Sequence, residues 1–400
     1  MCLLCVTFPK KPTKLTGMKT IYFDNNATTP VADQVVETLV TTLQLGLKNP
    51  ASQHELGRQS RKQLEITRRR VGGLLGCNQQ GSDEDVVVFT SGGTEANNLA
   101  LRGICASFPQ RGRLIISGLE HPSVTMVAEM LEKDGWDLQV VSTLPSGKIN
   151  IDHLGSLLND DTRLVSVMLA NNETGVIQPI ADVVALCKNH GALVHTDAVQ
   201  AVGKMSVDFR QLGVDALSLS AHKIHGPVGV GALLIKNGCP ITPVLHGGFQ
   251  QNGLRPGSEA CPLPVALSKT LGLYLDHQDA NLSRLLDLQL RLENGVLGLF
   301  PAAIIVGNES QRLPQTTCLS FPGVDRQALM MALDVAGVCC STGSACASGS
   351  SEPSPALIAM GLPEDVIEGA IRFSLSRFNT PEEVDAVINI LSEILPLLSE

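Results

Sequence analysis

The sequence predicts an α/β protein, with a large domain built on a mostly parallel mixed sheet between helices and a smaller α+β domain after it. Three observations carry that expectation. Short apolar runs alternate with amphipathic helical stretches through the first two thirds of the chain, the pattern of a parallel sheet wrapped by helices. Polar residues follow most of those runs, and ligand crevices of open α/β sheets lie past the carboxyl ends of strands. From about residue 275 the character changes and helical spacing dominates.

The elements follow in chain order. Val86-Val87-Val88-Phe89 reads as a buried strand, and Ser91-Gly92-Gly93-Thr94 turns it into a helix. Leu114-Ile115-Ile116 is the next strand and ends near Glu120-His121-Pro122. Leu138–Val141 is another. Leu164–Leu169 leads into Asn171-Asn172-Glu173, Leu193-Val194-His195 into Asp197, and Ala216–Leu219 into His222-Lys223. Asn281–Leu299 has helical spacing. Thr380-Pro381-Glu382-Glu383 is a capping box with proline at the first helical position. Val384, Val387, Ile388, Leu391 and Leu395 then line one helix face. The expected division is a large domain over 31–274 and a small domain over 18–30 and 275–400. Residues 1–17 read as an extension or a mis-called start before Met18.

Composition removes several function classes. The 400 residues carry 30 Lys and Arg against 39 Asp and Glu, a net charge of −9. Such a chain gains little from counterion release on nucleic acid, and its 3% aromatic content offers few stacking platforms. The run Val335–Ser351 lacks charge but is rich in Ser, Gly and Thr, so it is no membrane span. The three lysines before Met18 follow the apolar start, the wrong order for a secretory signal, and without arginine they give a mitochondrial location, the alternative to the cytoplasm, only weak support. The 11 cysteines are odd in number and irregular in spacing, which argues for a reducing compartment, read as cytoplasmic. No zinc spacing is present.

Four pieces point to chemistry. Lys223 follows a strand in Ser220-Ala221-His222-Lys223, with Gly226, Gly229 and Gly231 after it. A solvent-exposed lysine is the plain alternative. Asp197 closes another strand in His195-Thr196-Asp197-Ala198-Val199-Gln200. A lysine that forms a Schiff base, with an acid facing a ring nitrogen, is what pyridoxal 5'-phosphate requires. Ser91–Glu95 is a strand–turn–helix junction whose backbone N–H groups can bind phosphate, with the Thr94 hydroxyl beside them. Cys346 lies in Ser341–Ser350, a run of small polar residues and glycines unlike a core. A cysteine in such a loop is a candidate nucleophile. Cys77, Cys105, Cys187 and Cys318 read instead as core thiols, Cys339 and Cys340 as strand-end packing, and Cys2 and Cys5 as part of a frayed terminus.

With these pieces in view the sequence resembles the cysteine desulfurases, enzymes of pyridoxal-phosphate fold type I that include selenocysteine lyases. The matching segments are Asp24–Pro30, Ser91–Asn98, Glu120-His121, Asn171–Gly175, His195–Gln200, Ser220–Lys223, His246–Gly248, Arg255–Ser258, Ser344–Cys346 and Arg372–Ser374. The resemblance implies Lys223 as the Schiff-base lysine, Asp197 as partner of the pyridinium and Gln200 as donor to the ring's phenolic oxygen. His121 is implied as the histidine on the ring face and an acid/base. Gly93, Thr94, Ser220 and His222 are implied as the phosphate cradle. Ser258, where many relatives carry threonine, is implied as a phosphate ligand from the second subunit of a homodimer. Asn172 and Arg372 are implied as the substrate clamp, with Asn172 also beside the cofactor. Cys346 is implied as the nucleophile that takes sulfur from L-cysteine, leaving L-alanine. No metal is implied.

Ser341–Pro353 resembles the subgroup with a long cysteine loop, whose members hand sulfur to an acceptor protein, including iron–sulfur scaffolds. The tail after Arg372, Phe373–Glu400, is shorter than in the scaffold-binding members. Three other readings stand beside this one. A selenocysteine lyase differs by one substrate atom. An aminotransferase or β-lyase of the same fold would leave Cys346 a bystander. A non-enzymatic binding protein would have lost the lysine, acid or nucleophile, and all three are present.

Overall fold

The computed structural model describes residues 20–343 and 352–398. Seven strands form the main sheet: β1 (Val86–Thr90), β2 (Arg113–Ser117), β3 (Asp137–Val141), β4 (Thr162–Ser166), β5 (Leu193–Asp197), β6 (Ala216–Ser220) and β7 (Gly231–Ile235). Their order is β1-β7-β6-β5-β4-β2-β3. β7 runs antiparallel to both β1 and β6, and every other pair is parallel. The sheet is therefore mixed and mostly parallel, as the sequence predicts. β1, β2, β4, β5 and β6 all end on one edge, and the polar segments that follow them share it.

β7 lies outside the strands expected from the sequence, and Gly231 at its start is the last of three glycines that follow Lys223. Its pattern explains the miss. Every residue of Gly231–Ile235 is buried, so the run shows no alternation. The glycine serves close packing: a Cβ there would lie 2.5 Å from the Leu219 carbonyl oxygen and 2.8 Å from Gly92 Cα. The apolar run from Leu164 also differs from expectation. β4 stops at Ser166, and Val167–Leu169 continues as buried chain. It hydrogen-bonds to β5 residues, with Val167 N–H donating to His195 O and Leu169 N–H to Asp197 O.

A second sheet holds β8 (Ile304–Ile305), β9 (Thr316–Ser320) and β10 (Ala370–Ser374), antiparallel in the order β10-β9-β8. The N-terminal pair Ile21–Tyr22 joins this region by pairing with Val338–Cys339. Helices Gln278–Leu299 and Pro381–Leu398 cover it. The capping box forms: Glu383 N–H donates to Thr380 Oγ1, and Thr380 N–H to Glu383 Oε2, each at 3.3 Å. Val384, Val387, Leu391 and Leu395 are buried against Phe23, Leu285 and Leu292, with Ile388 packed beside them. The apolar core of this region is separate from those on the main sheet. We propose that the chain divides as expected, near the break between helices Pro262–Leu275 and Gln278–Leu299. The segment around Ala356–Met360 packs on the main-sheet core even so.

Leu391 is completely buried at the centre of the smaller core. Leu391→Ala is expected to destabilise the protein by about 2–5 kcal/mol through lost burial and a residual cavity. Denaturant unfolding measures this, and a loss below about 1 kcal/mol would show that the helix packs loosely.

Candidate active site

The shared strand edge creates one cavity of about 370 Å³. Each wall comes from the residues that follow a strand. Gly93 and Thr94 start the helix after β1. His121 lies after β2. Asn172 follows the chain beyond β4. Asp197 ends β5, and Ser220, His222 and Lys223 end or follow β6. Gln200 and Arg372 complete the set. Every site residue expected within the described chain lines this cavity except Ser258. That residue lines a separate open depression with Lys48 and Asn49. Cys346 lies outside the described residues, as do Cys2 and Cys5.

Asp197 is buried and held at both oxygens. Asn97 Nδ2 donates to Oδ2 at 2.7 Å, and Val199 N–H to Oδ1 at 2.9 Å. His121 caps helix Pro122–Lys133 by accepting from Ser123 N–H at Nδ1, which leaves Nε2 as the protonated nitrogen of the neutral ring. Burial pushes its pKa down, and Lys223 adds to this against the opposing pull of Asp197. The imidazole is therefore neutral at pH 7. Lys223 sits in the short 3-10 turn Ala221–Lys223. Its Nζ donates to the carbonyls of Asn26 and Ala27, the latter at 2.8 Å. Burial lowers the His222 pKa to about 4, helped by Lys223 and Lys204.

Arg372 is almost fully buried, on β10. Nη2 donates to Asp24 Oδ1 at 2.6 Å, and Nη1 to Asn172 O at 3.3 Å. Its Nε is buried with no hydrogen-bond partner, as is Ser220 Oγ. Such orphaned groups are costly unless something else meets them. Both residues line the cavity. The first-turn N–H groups of helix Gly93–Ala106 lack intrahelical acceptors. Gly93 keeps that turn open, because a Cβ there would lie 2.6 Å from Val199 Cγ2. A pyridoxal phosphate fits this donor set. Its phosphate would meet the helix start and Ser220, its ring nitrogen Asp197, and its aldehyde carbon Lys223.

Sequence reading missed the supporting residues. Asn97, Asp24 and Asn26 lay inside matched segments but received no role. Glu173 is a further case. Its buried carboxylate accepts from Ser354 Oγ at 2.6 Å, and burial pushes its pKa up against that bond and Arg372. Ser341 pairs with Arg372 through two backbone bonds, of 3.2 and 2.7 Å. The chain on either side of Cys346 is thus fixed to the wall that holds Arg372. Cys77, Cys105, Cys187 and Cys318 are buried as expected, and burial pushes each thiol up to about 12. Among the described residues no cluster could hold a metal ion, and no helix is long and apolar enough to cross a membrane.

Comparison with known proteins is consistent with this geometry. The aminotransferase class-V family model matches residues 21–387. A cysteine desulfurase of Trichormus azollae is 41% identical over 95% of this chain and 94% of its own length. A solved NifS-like protein superposes with a TM-score of 0.87 at 35% identity, covering 95% of this chain and all of that one. SspA, solved in complex with cysteine, gives a TM-score of 0.77 at 29% identity over 90% of this chain and all of its own.

Glu120 offers a test of the electrostatics beneath the cavity. Burial raises its pKa to about 8, and nearby Asp197 adds to the rise. Oε1 accepts from Ser117 Oγ and Met168 N–H at 2.6 and 2.7 Å. The folded protein holds a proton there that the unfolded chain releases above about pH 4.5. This stability contribution is full below that pH and is lost as pH rises toward 8. Glu120→Gln has no such loss. Its melting temperature relative to the native protein is therefore expected to be higher at pH 8 than at pH 5. A difference independent of pH would show that Glu120 is ionised when folded.

Proposed function

The chain belongs to the class-V aminotransferase family, and on that premise we propose that it is a pyridoxal-phosphate-dependent cysteine desulfurase. It converts L-cysteine to L-alanine and takes the sulfur as a persulfide on Cys346. The observation that carries this reading is the convergence of Lys223, Asp197, His121 and Arg372 on one cavity.

When bound, the cofactor supplies an electron sink for charge left on the substrate Cα. The residues do the rest. Gly93, Thr94, Ser220 and His222 hold its phosphate, and Ser258 of a second copy in a homodimer adds to them. Asp197 holds a proton on the ring nitrogen, and Asn97 keeps its carboxylate aimed there. Gln200 donates to the phenolic oxygen. His121 lies on the ring face, with Asn172 beside it. Arg372, whose Nη2 is held by Asp24, takes the substrate carboxylate. Lys223 Nζ removes and returns the Cα proton.

Cys346 Sγ then bonds to the substrate sulfur as the carbon–sulfur bond breaks. The electron pair goes to carbon, which gains a proton. The enzyme thiol and cysteine become an enzyme persulfide and alanine, so no outside oxidant is needed. The persulfide passes to an acceptor protein, which supplies sulfur to iron–sulfur clusters or other thio-cofactors. A reducing cytoplasm suits that chemistry, since the thiol must start reduced.

Two variants test the assignment. Lys223→Ala is expected to lose the visible absorption of bound cofactor and at least about a thousandfold in kcat. Cys346→Ala is expected to bind cofactor and cysteine normally by absorbance while losing persulfide formation and sulfide release. Sulfide release at the native rate from that variant would instead favour a β-lyase in which Cys346 is a bystander.

A further inference from the structure

Lys204 received no role from the sequence, yet it is among the most unusual side chains near the cavity. It is 2% exposed. Its Nζ donates to Gln200 Oε1 at 2.8 Å and to Asn26 Oδ1 at 3.4 Å. Burial, and then the cationic charges of Lys223 and Arg372, hold its pKa well below the ordinary lysine value. An amine buried beside cations and met by amide oxygens is a costly arrangement. A hydrophobic side chain of similar length would avoid that cost.

The hydrogen bonds show what this lysine can do. A glutamine amide has a donor end and an acceptor end of the same shape, so packing alone does not choose between its two orientations. Lys204 Nζ meets two amide oxygens, and as an ammonium it has no lone pair with which to accept. Gln200 must therefore turn Oε1 toward it. The NH2 end is forced the other way, and Nε2 donates to Asn26 O at 3.0 Å. The same carbonyl receives Lys223 Nζ, and both Lys223 and Gln200 line the cavity. Asn26 is fixed by the same logic. Its Oδ1 faces Lys204 while Nδ2 donates to Asn172 O at 3.0 Å and Thr316 Oγ1 at 2.8 Å.

We propose that Lys204 is a positioning residue that locks the Gln200 amide with its N–H end toward the cavity, making it a donor to the cofactor's ring oxygen. The inference rests on the reading of Gln200 as a cofactor partner. A flipped amide would set a carbonyl oxygen against an anionic phenolic oxygen, and the repulsion would weaken binding.

The test is a double-mutant cycle on the full-length apo-protein, titrated with pyridoxal phosphate and followed by absorbance. Lys204→Met is expected to weaken cofactor binding about tenfold, the size of one lost hydrogen bond. In a Gln200→Ala background the same change should alter binding less than about twofold. Lys204→Arg, which keeps donors and adds no acceptor, should bind nearly as the native protein does. Apo-protein melting separates this from general damage, and the Lys204→Met midpoint is expected to fall by less than about 5 °C. Should that variant melt far lower, Gln200→Glu provides an independent route. It leaves Lys204 in place but removes the N–H end, and should weaken binding about tenfold. Equal losses in both backgrounds, or native binding by Gln200→Glu, would overturn the positioning role. Failure of the native protein to bind the cofactor at all would overturn the functional reading and this inference with it.

Discussion

The geometry of the cavity depends on one buried residue, Asn26. It is 2% exposed and every polar atom it owns is committed. Its N–H donates to Ser374 Oγ on β10, and its side chain to Thr316 Oγ1 on β9. Its carbonyl receives Lys223 Nζ and Gln200 Nε2. Three parts of the chain, far apart in sequence, are thus tied at one point: the N-terminal segment, the smaller sheet and the edge of the main sheet. Buried amides without partners are expensive, so a shift of either sheet would break several bonds at once. That constraint sets where the lysine waits and how far Arg372, on the smaller sheet, lies from it.

The charges around this node are unbalanced, and the imbalance says what the cavity is built to receive. Lys223, Lys204, Arg372 and His222 crowd one side. Asp197 is engaged by Asn97, and Asp24 by Arg372. Burial pushes Glu120 and Glu173 toward their neutral forms. Burial lowers the pKa of His222 and Lys204, and the neighbouring Lys223 lowers both further. An anionic phosphate beside the helix start and a carboxylate at Arg372 would offset this imbalance. A chain with net charge −9 therefore gathers Lys223, His222 and Arg372 around one cavity.

The sequence made much of this legible, for reasons that differ by residue. Lys223, Asp197 and His121 could be placed because each follows a buried apolar run, and a parallel sheet brings such ends to one edge. Arg372 could not be found that way. It lies within β10, whose residues are all buried, and only the resemblance drew attention to it. β7 escaped because continuous burial leaves no periodic signal. Lys204 and Asn26 escaped for a different reason. Their importance lies in hydrogen bonds across long sequence separations, and nothing local marks a lysine that is buried rather than solvated. Ser258 shows the opposite limit: the residue was named, but one copy of the chain does not bring it to the cavity.

The cysteine count takes on physical meaning in this setting. A protein that stores sulfur on one thiol must keep its other thiols from competing for it. Thiolate, not thiol, is the nucleophile. All eight described cysteines have a pKa raised by burial, most of them to about 12. At pH 7 such groups are overwhelmingly protonated and shielded. Even Cys339 and Cys340, which are only partly buried and lie beside the strand that leads toward Cys346, are held up further by Asp24 and Asp334. Those carboxylates oppose a second negative charge nearby. Selectivity for one sulfur carrier among many cysteines then needs no special recognition. It follows from burying the bystanders and surrounding the nearest of them with acids.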